Sequence, residues 1–118
     1  MINLILILAI VFLLMVLSMV WPPDSPWAPW WRTNKKVARA ICKLAKVGEK
    51  DLVYDLGSGD GTALIVAAKE FGAKGVGIEI DPLRALISRI RLRGNGISNR
   101  IQIKRKNFFD EDISEASV

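Results

Sequence analysis

Three glycines flanked by acidic residues form the part of this 118-residue chain that could do chemistry. Gly57, Gly59 and Gly61 follow an apolar run, Asp60 lies between the last two, and Glu79 comes 22 positions after Gly57 in VYDLGSGDGTALIVAAKEFGAKGVGIEID. Glycine allows a tight turn and a close approach of the backbone to a ligand. An acid about 20 residues further on is at the spacing where a carboxylate takes ribose hydroxyls. The pattern predicts a site for a ligand that contains a ribose.

The spacing of the glycines separates two kinds of cofactor. Dinucleotide sites carry G-x-G-x-x-G, whereas this loop reads G-x-G-x-G, with Thr62 at the place of the third dinucleotide glycine. Asp60 would repel a pyrophosphate and attract an ammonium or a sulfonium group, which favours S-adenosylmethionine over NAD. Each feature also has an ordinary explanation: the glycines as a plain turn, Glu79 as a solvated strand end, and Asp55 as a charge at a helix terminus.

The elements around this loop alternate between strands and helices. DLVYDLG, KGVGIEI and RIQIKRKNFF predict three strands, and TALIVAAKEFG and DPLRALISRIRLRG predict the helices between them. Thr62 is predicted to cap the first of these helices and Gly72 to end it, while Asp81 caps the second, with Pro82 at its first position. Right-handed crossovers make this βαβαβ unit a parallel sheet in the spatial order 3-2-1. The predicted fold class is α/β, the first half of a Rossmann-like fold.

Two helices carry apolar residues at helical spacing. TNKKVARAICKLAKVG, before the first strand, predicts an amphipathic helix with Thr33 or Asn34 as its cap, Gly48 as its end and Cys42 as a core residue. Its apolar face comprises Val37, Ala40, Ile41, Leu44 and Ala45. The apolar face of the last helix comprises Leu83, Leu86, Ile87 and Ile90.

The first strand is apolar on both faces, yet the order 3-2-1 leaves one of its sides without a strand. Folded proteins avoid an unpaired apolar edge. We therefore expect the sequence to stop in the middle of a domain, at DEDISEASV, where a fourth strand would begin.

The N-terminal segment LILILAIVFLLMVLSMV, from Leu4 to Val20, carries no charge. About 20 helical residues span the ~30 Å hydrocarbon core of a bilayer. We predict a transmembrane helix over 2–21, a Pro/Trp-rich juxtamembrane linker over 22–33, and an incomplete S-adenosylmethionine-binding domain over 34–118. A signal peptide is the main alternative, although no Lys or Arg precedes the run and no small-x-small cleavage site follows it.

Charges and tryptophans after this segment predict an orientation. All four tryptophans lie within residues 21–31, where they fit the level of lipid headgroups or else dock on the following domain. Four Lys and Arg residues follow within 32–39, and positive charge stays on the cytoplasmic side. The predicted localisation is the cytoplasmic membrane, single-pass, with the N-terminus outside and the domain in the cytoplasm.

Composition excludes several chemistries. The chain has a net charge of +5, one cysteine and no histidine, so it can form no internal disulfide, no Cys/His zinc site and no Cys–His or Ser–His nucleophile pair. We expect no metal. The basic residues within 84–106 allow an RNA backbone as substrate, or they form a solvated face.

VYDLGSGDGTALIVAAKEFGAKGVGIEIDP resembles the first two cofactor motifs of the class I, seven-stranded S-adenosylmethionine-dependent methyltransferases. More narrowly, TNKKVARAICKLAKV, ISRIRLR and KRKNFFDEDISEASV resemble small membrane-anchored methyltransferases of prokaryotes, which are related to the mitochondrial lysine methyltransferase of the ATP synthase c-subunit. The resemblance covers about residues 33–118. The family's fourth strand and the loop that lines its acceptor site would lie beyond Val118, so we assign no catalytic residue.

The resemblance implies roles for individual residues. Asp55 and the glycine loop would hold the methionine moiety, and Glu79 the ribose hydroxyls. Asn107, where many relatives have Asp, and Phe108 would line the adenine pocket, while Thr33 would close over the cofactor. The expected cofactor-binding residues are Asp55, Gly57, Ser58, Gly59, Asp60, Gly61, Thr62, Glu79, Ile80, Asn107, Phe108 and Thr33.

The expected function is methyl transfer from S-adenosylmethionine to a protein lysine by a membrane-anchored enzyme. Its expected partners are the lipid bilayer and a protein substrate that is itself membrane-associated. Methyl transfer requires alignment of donor and acceptor, which needs neither His nor Cys. Two alternatives remain open: a methyltransferase that acts on RNA, and a truncated cofactor-binding fragment without catalytic activity.

Overall fold

The computed structural model describes residues 2–20 and 31–118, and the chain divides between Trp31 and Arg32 into two compact units. The described residues of the first unit include the helix α1 (Ile2–Val20), whose apolar side chains from Leu4 to Leu17 are exposed. Most of the predicted juxtamembrane linker falls on residues 21–30, which lie outside the described part of the chain.

The predicted localisation in the cytoplasmic membrane, as a single-pass protein with the N-terminus outside, is contradicted. A helix that crosses the ~30 Å hydrocarbon core needs about 20 predominantly apolar residues. Among the helices within 2–20 and 31–118, none is both long and apolar enough to cross a membrane.

The second unit alternates strands and helices as predicted. Its elements are α2 (Lys35–Leu44), β1 (Leu52–Leu56), α3 (Thr62–Phe71), β2 (Lys74–Glu79), α4 (Pro82–Gly94), β3 (Ile101–Arg105) and a 3₁₀ turn (Phe108–Asp110). The strands form one parallel sheet in the order β1-β2-β3, which confirms the predicted order. The predicted caps of α4 are also confirmed, since the Asp81 carboxylate accepts hydrogen bonds from the backbone of Leu83 and Arg84.

Glycines in the middle strand bring α3 close to the sheet. A Cβ at Gly75 would lie 2.8 Å from a methyl group of Leu64, and a Cβ at Gly77 would lie 2.8 Å from the other methyl group of Leu64. Leu64 is fully buried, and Ile101 and Ile103 of β3 complete the same core cluster. Gly75 and Gly77 therefore allow Leu64 of α3 to pack closely on β2.

The outer helices leave much of their predicted apolar faces exposed. α2 buries Ala38 and Cys42, which confirms the core position of Cys42, but Leu44 is 87% exposed. All five residues of its predicted apolar face are exposed, and in α4 Leu86 and Ile90 are exposed as well. Helical spacing predicted the two helices, but in α2 the small residues Ala38 and Cys42 are buried instead of the predicted face. In α4 the buried residues are Arg84, Ala85, Ser88 and Leu92.

The predicted end of α2 is wrong by one turn. The helix ends at Leu44, before the predicted end at Gly48, and Lys46 adopts the left-handed conformation with φ of 54°. Val47 is buried against this helix end because its N–H donates to the carbonyl of Cys42.

The outer edge of β1 has partners after all. The N–H of Tyr54 donates to the carbonyl of Val118 at 2.9 Å, and the N–H of Ser117 donates to the carbonyl of Leu52 at 3.0 Å. The expectation that nothing in this chain pairs with that side of β1 is thus corrected for its first residues.

Candidate functional site

The glycine loop joins β1 to α3 and is tied to the end of β2. The N–H groups of Gly57 and Ser58 both donate to the carbonyl of Ile78, at 2.8 and 2.9 Å. The N–H of Gly59 donates to the Glu79 carboxylate at 2.7 Å. The loop is therefore held over the carboxyl ends of the parallel strands, where ligands bind in open α/β sheets.

Gly61 is required by both conformation and space. Its φ is +81°, and a Cβ there would lie 3.2 Å from the Cβ of Ser88, which is fully buried on α4. Gly61, not Thr62, takes the cap position, and α3 begins at Thr62. The Asp60 carboxylate accepts hydrogen bonds from the N–H and the hydroxyl of Thr62, at 3.2 and 2.7 Å. The loop thus packs directly on α4.

Glu79 braces the loop from the end of β2. It is 3% exposed, and its two oxygens accept hydrogen bonds from the N–H groups of Gly59 and Asp81, at 2.7 and 2.9 Å. Each carboxylate oxygen has a second lone pair, so Glu79 retains the capacity to accept a hydroxyl. Ile80, the next residue, is half-buried.

Asp55 carries an unfavourable charge near the end of β1. Burial raises the pKa of its carboxyl to about 6, and the neighbouring charges of Glu79 and Asp60 act in the same direction. A carboxylate in this position is stabilised by a cation beside it. Such a perturbed acid at the ligand-binding edge of the sheet is a functional candidate.

Asp60 is already paired with two arginines. Its carboxylate lies 2.7 Å from Nε of Arg32 and 2.9 Å from Nη1 of Arg91. Because both cations pair with it, Asp60 does not present the bare charge that was predicted to repel a pyrophosphate. The acid whose charge is unfavourable at this end of the sheet is Asp55.

Arg91 is a residue that the sequence reasoning missed. Its Nη1 also lies 2.9 Å from the carbonyl oxygen of Asp60 and 2.9 Å from the hydroxyl of Thr62. The only available signal was its position two turns after Arg84 and one turn after Ser88, on the polar side of α4. Among the many basic residues within 84–106 this side did not stand out.

The residues after β3 reach the same edge of the sheet. The Asn107 side chain accepts a hydrogen bond from the N–H of Phe109 at 3.1 Å and so begins the 3₁₀ turn. Phe108 is 39% exposed and Phe109 83% exposed, with their ring centroids 4.7 Å apart. Because the strands are parallel, Asn107 lies at the same end of the sheet as Glu79.

A cavity of about 210 Å³ lies beside the glycine loop. It is lined by Arg32, Thr33, Asn34, Lys35, Thr62 and Arg91. Half-buried Thr33 thus lies near the start of α3, in the segment that the resemblance places over a cofactor.

One hydroxyl of the loop is buried without a partner. Ser58 is 6% exposed, and its Oγ makes no hydrogen bond within the described part of the chain. A Cβ at Gly77 would lie 2.7 Å from this oxygen, so the hydroxyl is directed at the sheet. The cofactor roles of Ser58 and of the other named residues remain predictions.

Comparisons with known proteins identify the family. Residues 55–118 match the ANTKMT methyltransferase domain. The protein-lysine N-methyltransferase of Saccharolobus islandicus (strain REY15A) is 44% identical over 101 residues, which cover 85% of this chain and 61% of that protein. The ATP synthase c-subunit lysine N-methyltransferase of Caenorhabditis elegans is 28% identical over 90% of this chain and 55% of that protein.

Solved structures agree with these relatives. An RNA methyltransferase from Salinibacter ruber, in complex with S-adenosyl-L-homocysteine, has a TM-score of 0.73 and 42% identity, over 74% of this chain and 57% of that chain. The chain thus spans about three fifths or less of the length of these relatives. The matches confirm the predicted methyltransferase class and S-adenosylmethionine as its cofactor, but they give no support to a membrane anchor. This chain belongs to the ANTKMT methyltransferase domain family.

Proposed function

We propose that this chain contains the cofactor-binding part of a methyltransferase that transfers the methyl group of S-adenosylmethionine to a protein lysine. Three relatives support the lysine acceptor by name. They are the enzymes of Saccharolobus islandicus and Caenorhabditis elegans and the electron transfer flavoprotein beta subunit lysine methyltransferase of Danio rerio, which is 30% identical over 79 residues.

The cofactor assignment rests on Asp55, the acid near the carboxyl end of β1 whose pKa is raised by burial. S-adenosylmethionine supplies a methyl group from a sulfonium and also carries an ammonium. Asp55, whose charge is unfavourable without a cation, would face this cationic end beside Gly57 and Gly59. Glu79 would accept a ribose hydroxyl with its remaining lone pairs.

The other predicted residues would surround the rest of the cofactor. Phe108 is partly exposed next to the end of β3 and would cover one face of the adenine, with Asn107 and Ile80 beside it. Ser58, Asp60, Gly61 and Thr62 would shape the loop beneath the methionine moiety, and Thr33 would close over it.

Methyl transfer is an in-line displacement, so the protein must align the donor with the acceptor and exclude water. A lysine must also be neutral to attack, which an apolar, desolvated site favours by lowering its pKa. Within the described residues no group is assigned to hold the acceptor.

RNA is a second candidate acceptor. The Salinibacter ruber neighbour is called an RNA methyltransferase and is 42% identical to this chain. Arg93 near the end of α4, Arg100 just before β3 and Arg105 at the end of β3 are exposed, and such cations could contact phosphates.

Calorimetric titration of the full chain with S-adenosylmethionine, S-adenosylhomocysteine and NAD tests the cofactor. We expect binding of the first two and none of NAD, and a loss of at least tenfold in affinity for Glu79→Gln. Glu49→Gln, an exposed acid outside the site, is the matched control. Tight NAD binding, or equal affinities for both variants, would overturn the assignment.

Transfer of a radiolabelled methyl group tests the acceptor. The full chain is incubated with labelled S-adenosylmethionine and either total protein or total RNA, and the protein is hydrolysed for amino-acid analysis. Label in methyllysine supports the proposal, whereas label in RNA alone favours the second candidate. Cofactor binding without transfer to either would support the non-catalytic alternative.

A further inference from the structure

We propose that Arg91 and Arg32 are positioning residues that act through Asp60: Arg91 fixes the glycine loop against α4, and Arg32 holds residues 32–35 over the methionine end of the cofactor. This inference rests on the proposed cofactor site. It adds two residues that touch the loop, and not the reacting atoms, to those expected from the sequence.

Arg91 of α4 binds the glycine loop through Asp60 and Thr62. One nitrogen, Nη1, lies 2.9 Å from the Asp60 carbonyl, 2.9 Å from the Asp60 carboxylate and 2.9 Å from the Thr62 hydroxyl. Hydrogen bonds with a charged donor are about twice as strong as neutral ones. The side chain of Asp60 is 11% exposed and that of Arg91 is 25% exposed. Water therefore competes poorly for these contacts, and the turn between Gly59 and Thr62 is fixed to α4.

Arg32 holds the loop from the other side. Its Nε lies 2.7 Å from the same carboxylate oxygen that pairs with Arg91, but its own side chain is 62% exposed. An ion pair of this exposure contributes little stability. The segment before α2 is therefore joined to the loop by a contact that is easily broken.

The segment that Arg32 holds lines the cavity beside the loop. The cavity volume of about 210 Å³ is smaller than the ~300–1,000 Å³ of a site for a whole small-molecule ligand. Arg32, Lys35 and Arg91 line it, so it suits the carboxylate at the methionine end of the cofactor and not the ammonium or the sulfonium. Breaking the pair between Arg32 and Asp60 would open this cavity on one side.

A second ion pair provides an internal control. Arg39 of α2 lies 2.5 Å from Glu70 of α3, with side-chain exposures of 42% and 36%. This pair also joins the N-terminal part of the unit to α3, but it does not touch the loop. The effect of removing Arg39 therefore measures a general loosening of α2, whereas the effect of removing Arg32 measures the contribution of its contact with the loop.

The test measures release of labelled S-adenosylmethionine from the full chain, chased with an excess of unlabelled S-adenosylhomocysteine. At low salt we expect Arg32→Gln to dissociate about fivefold faster than the wild type, and Arg39→Gln to stay within about twofold, because the pair between Arg39 and Glu70 does not touch the loop. At about 1 M NaCl the Debye length falls to about 3 Å, so the wild-type rate should approach that of Arg32→Gln. If Arg32 only stabilised the fold, high salt would not bring the dissociation rate of the wild type to that of Arg32→Gln.

The role of Arg91 is tested by conservative rescue. We expect Arg91→Gln to lower the affinity for S-adenosylmethionine at least tenfold and Arg91→Lys to recover part of it, because the charge is kept. A second measurement of Arg32 is amide hydrogen exchange of residues 32–36 with the cofactor bound. We expect exchange to be faster in Arg32→Gln than in the wild type, and this readout applies even to a variant of reduced stability.

The outcomes separate this inference from the proposed function. If the wild type binds the cofactor but Arg32→Gln shows the same dissociation rate and the same exchange, the positioning role is refuted and the proposed function stands. If the wild type does not bind S-adenosylmethionine, both are overturned.

Discussion

Replacing Asp55 by asparagine should stabilise this protein at neutral pH. The pKa of Asp55 in the folded state is about 6, against an ordinary value of 3.8. Its carboxyl therefore binds more protons in the folded state than in the unfolded state between these values. Stability that this group provides at low pH is lost as the pH rises from about 4 to about 6.

The magnitude follows from the size of that shift. A pKa difference of about 2.2 units corresponds to roughly 3 kcal/mol at about 1.36 kcal/mol per unit, and this is an upper value because Asp55 is only half-buried. Asparagine has nearly the same shape and no charge. At about pH 7.5 the variant should gain up to about 3 kcal/mol in free energy of unfolding, and at about pH 4 the gain should vanish.

Urea denaturation of Asp55→Asn and of the wild type, at pH 4 and at pH 7.5, measures this difference. Asp112→Asn is the matched control, because hydrogen bonds from the backbone and side chain of Ser114 lower the pKa of Asp112. Asp112→Asn should lose stability at neutral pH, so the same chemical change should alter the free energy of unfolding in the opposite direction. Equal free energies of unfolding for Asp55→Asn and the wild type at pH 7.5 would refute the electrostatic reasoning. So would a gain at pH 4 as large as the gain at pH 7.5.

Three further predictions concern the same edge of the sheet. The affinity for S-adenosylmethionine should fall below about pH 6, by up to about tenfold per unit, as Asp55 becomes protonated, and calorimetry should find weak, pH-independent binding in Asp55→Asn. Phe108→Ala should lower this affinity about tenfold, from the loss of ~1–3 kcal/mol of stacking, whereas Phe109→Ala, which removes a more exposed ring, should change it less; equal effects in titrations would contradict the adenine role. Gly77→Ala should reduce the free energy of unfolding by about 1–3 kcal/mol, because its Cβ would lie within 2.8 Å of side chains on both neighbouring elements; an unchanged urea midpoint would contradict this packing.

The sequence predicted the order of the elements and the parallel sheet because both follow from local signals. Asp81 followed by Pro82 begins α4, Gly72 ends α3, and the alternation in β3 leaves Ile101 and Ile103 buried. These signals depend on backbone geometry and on a single buried face, so they can be read from a few neighbouring residues.

The contacts of the outer helices could not be predicted in the same way. Apolar spacing does not determine which face of α2 or α4 meets the rest of the unit when small residues make that contact. Ser88 packs where a larger residue would push α4 away from Gly61. Likewise, the pairing of Asp60 with Arg91 joins residues 31 positions apart, and no local pattern marks it.

The inward face of α4 shows how the site determines the packing around it. A helix that meets a core usually presents its apolar stripe, and α4 buries Ala85 and Leu92 in this way. It also packs Ser88 against Gly61 and pairs Arg91 with Asp60 of the glycine loop. The loop exposes backbone carbonyls and a carboxylate on that side, and buried polar groups need hydrogen-bond partners. A wholly apolar face would leave the Asp60 carbonyl and the Thr62 hydroxyl without the donor that Arg91 provides. The polar face of α4 is therefore a consequence of the loop that it supports, and a change in the loop sequence at Asp60 should require a matching change at Arg91.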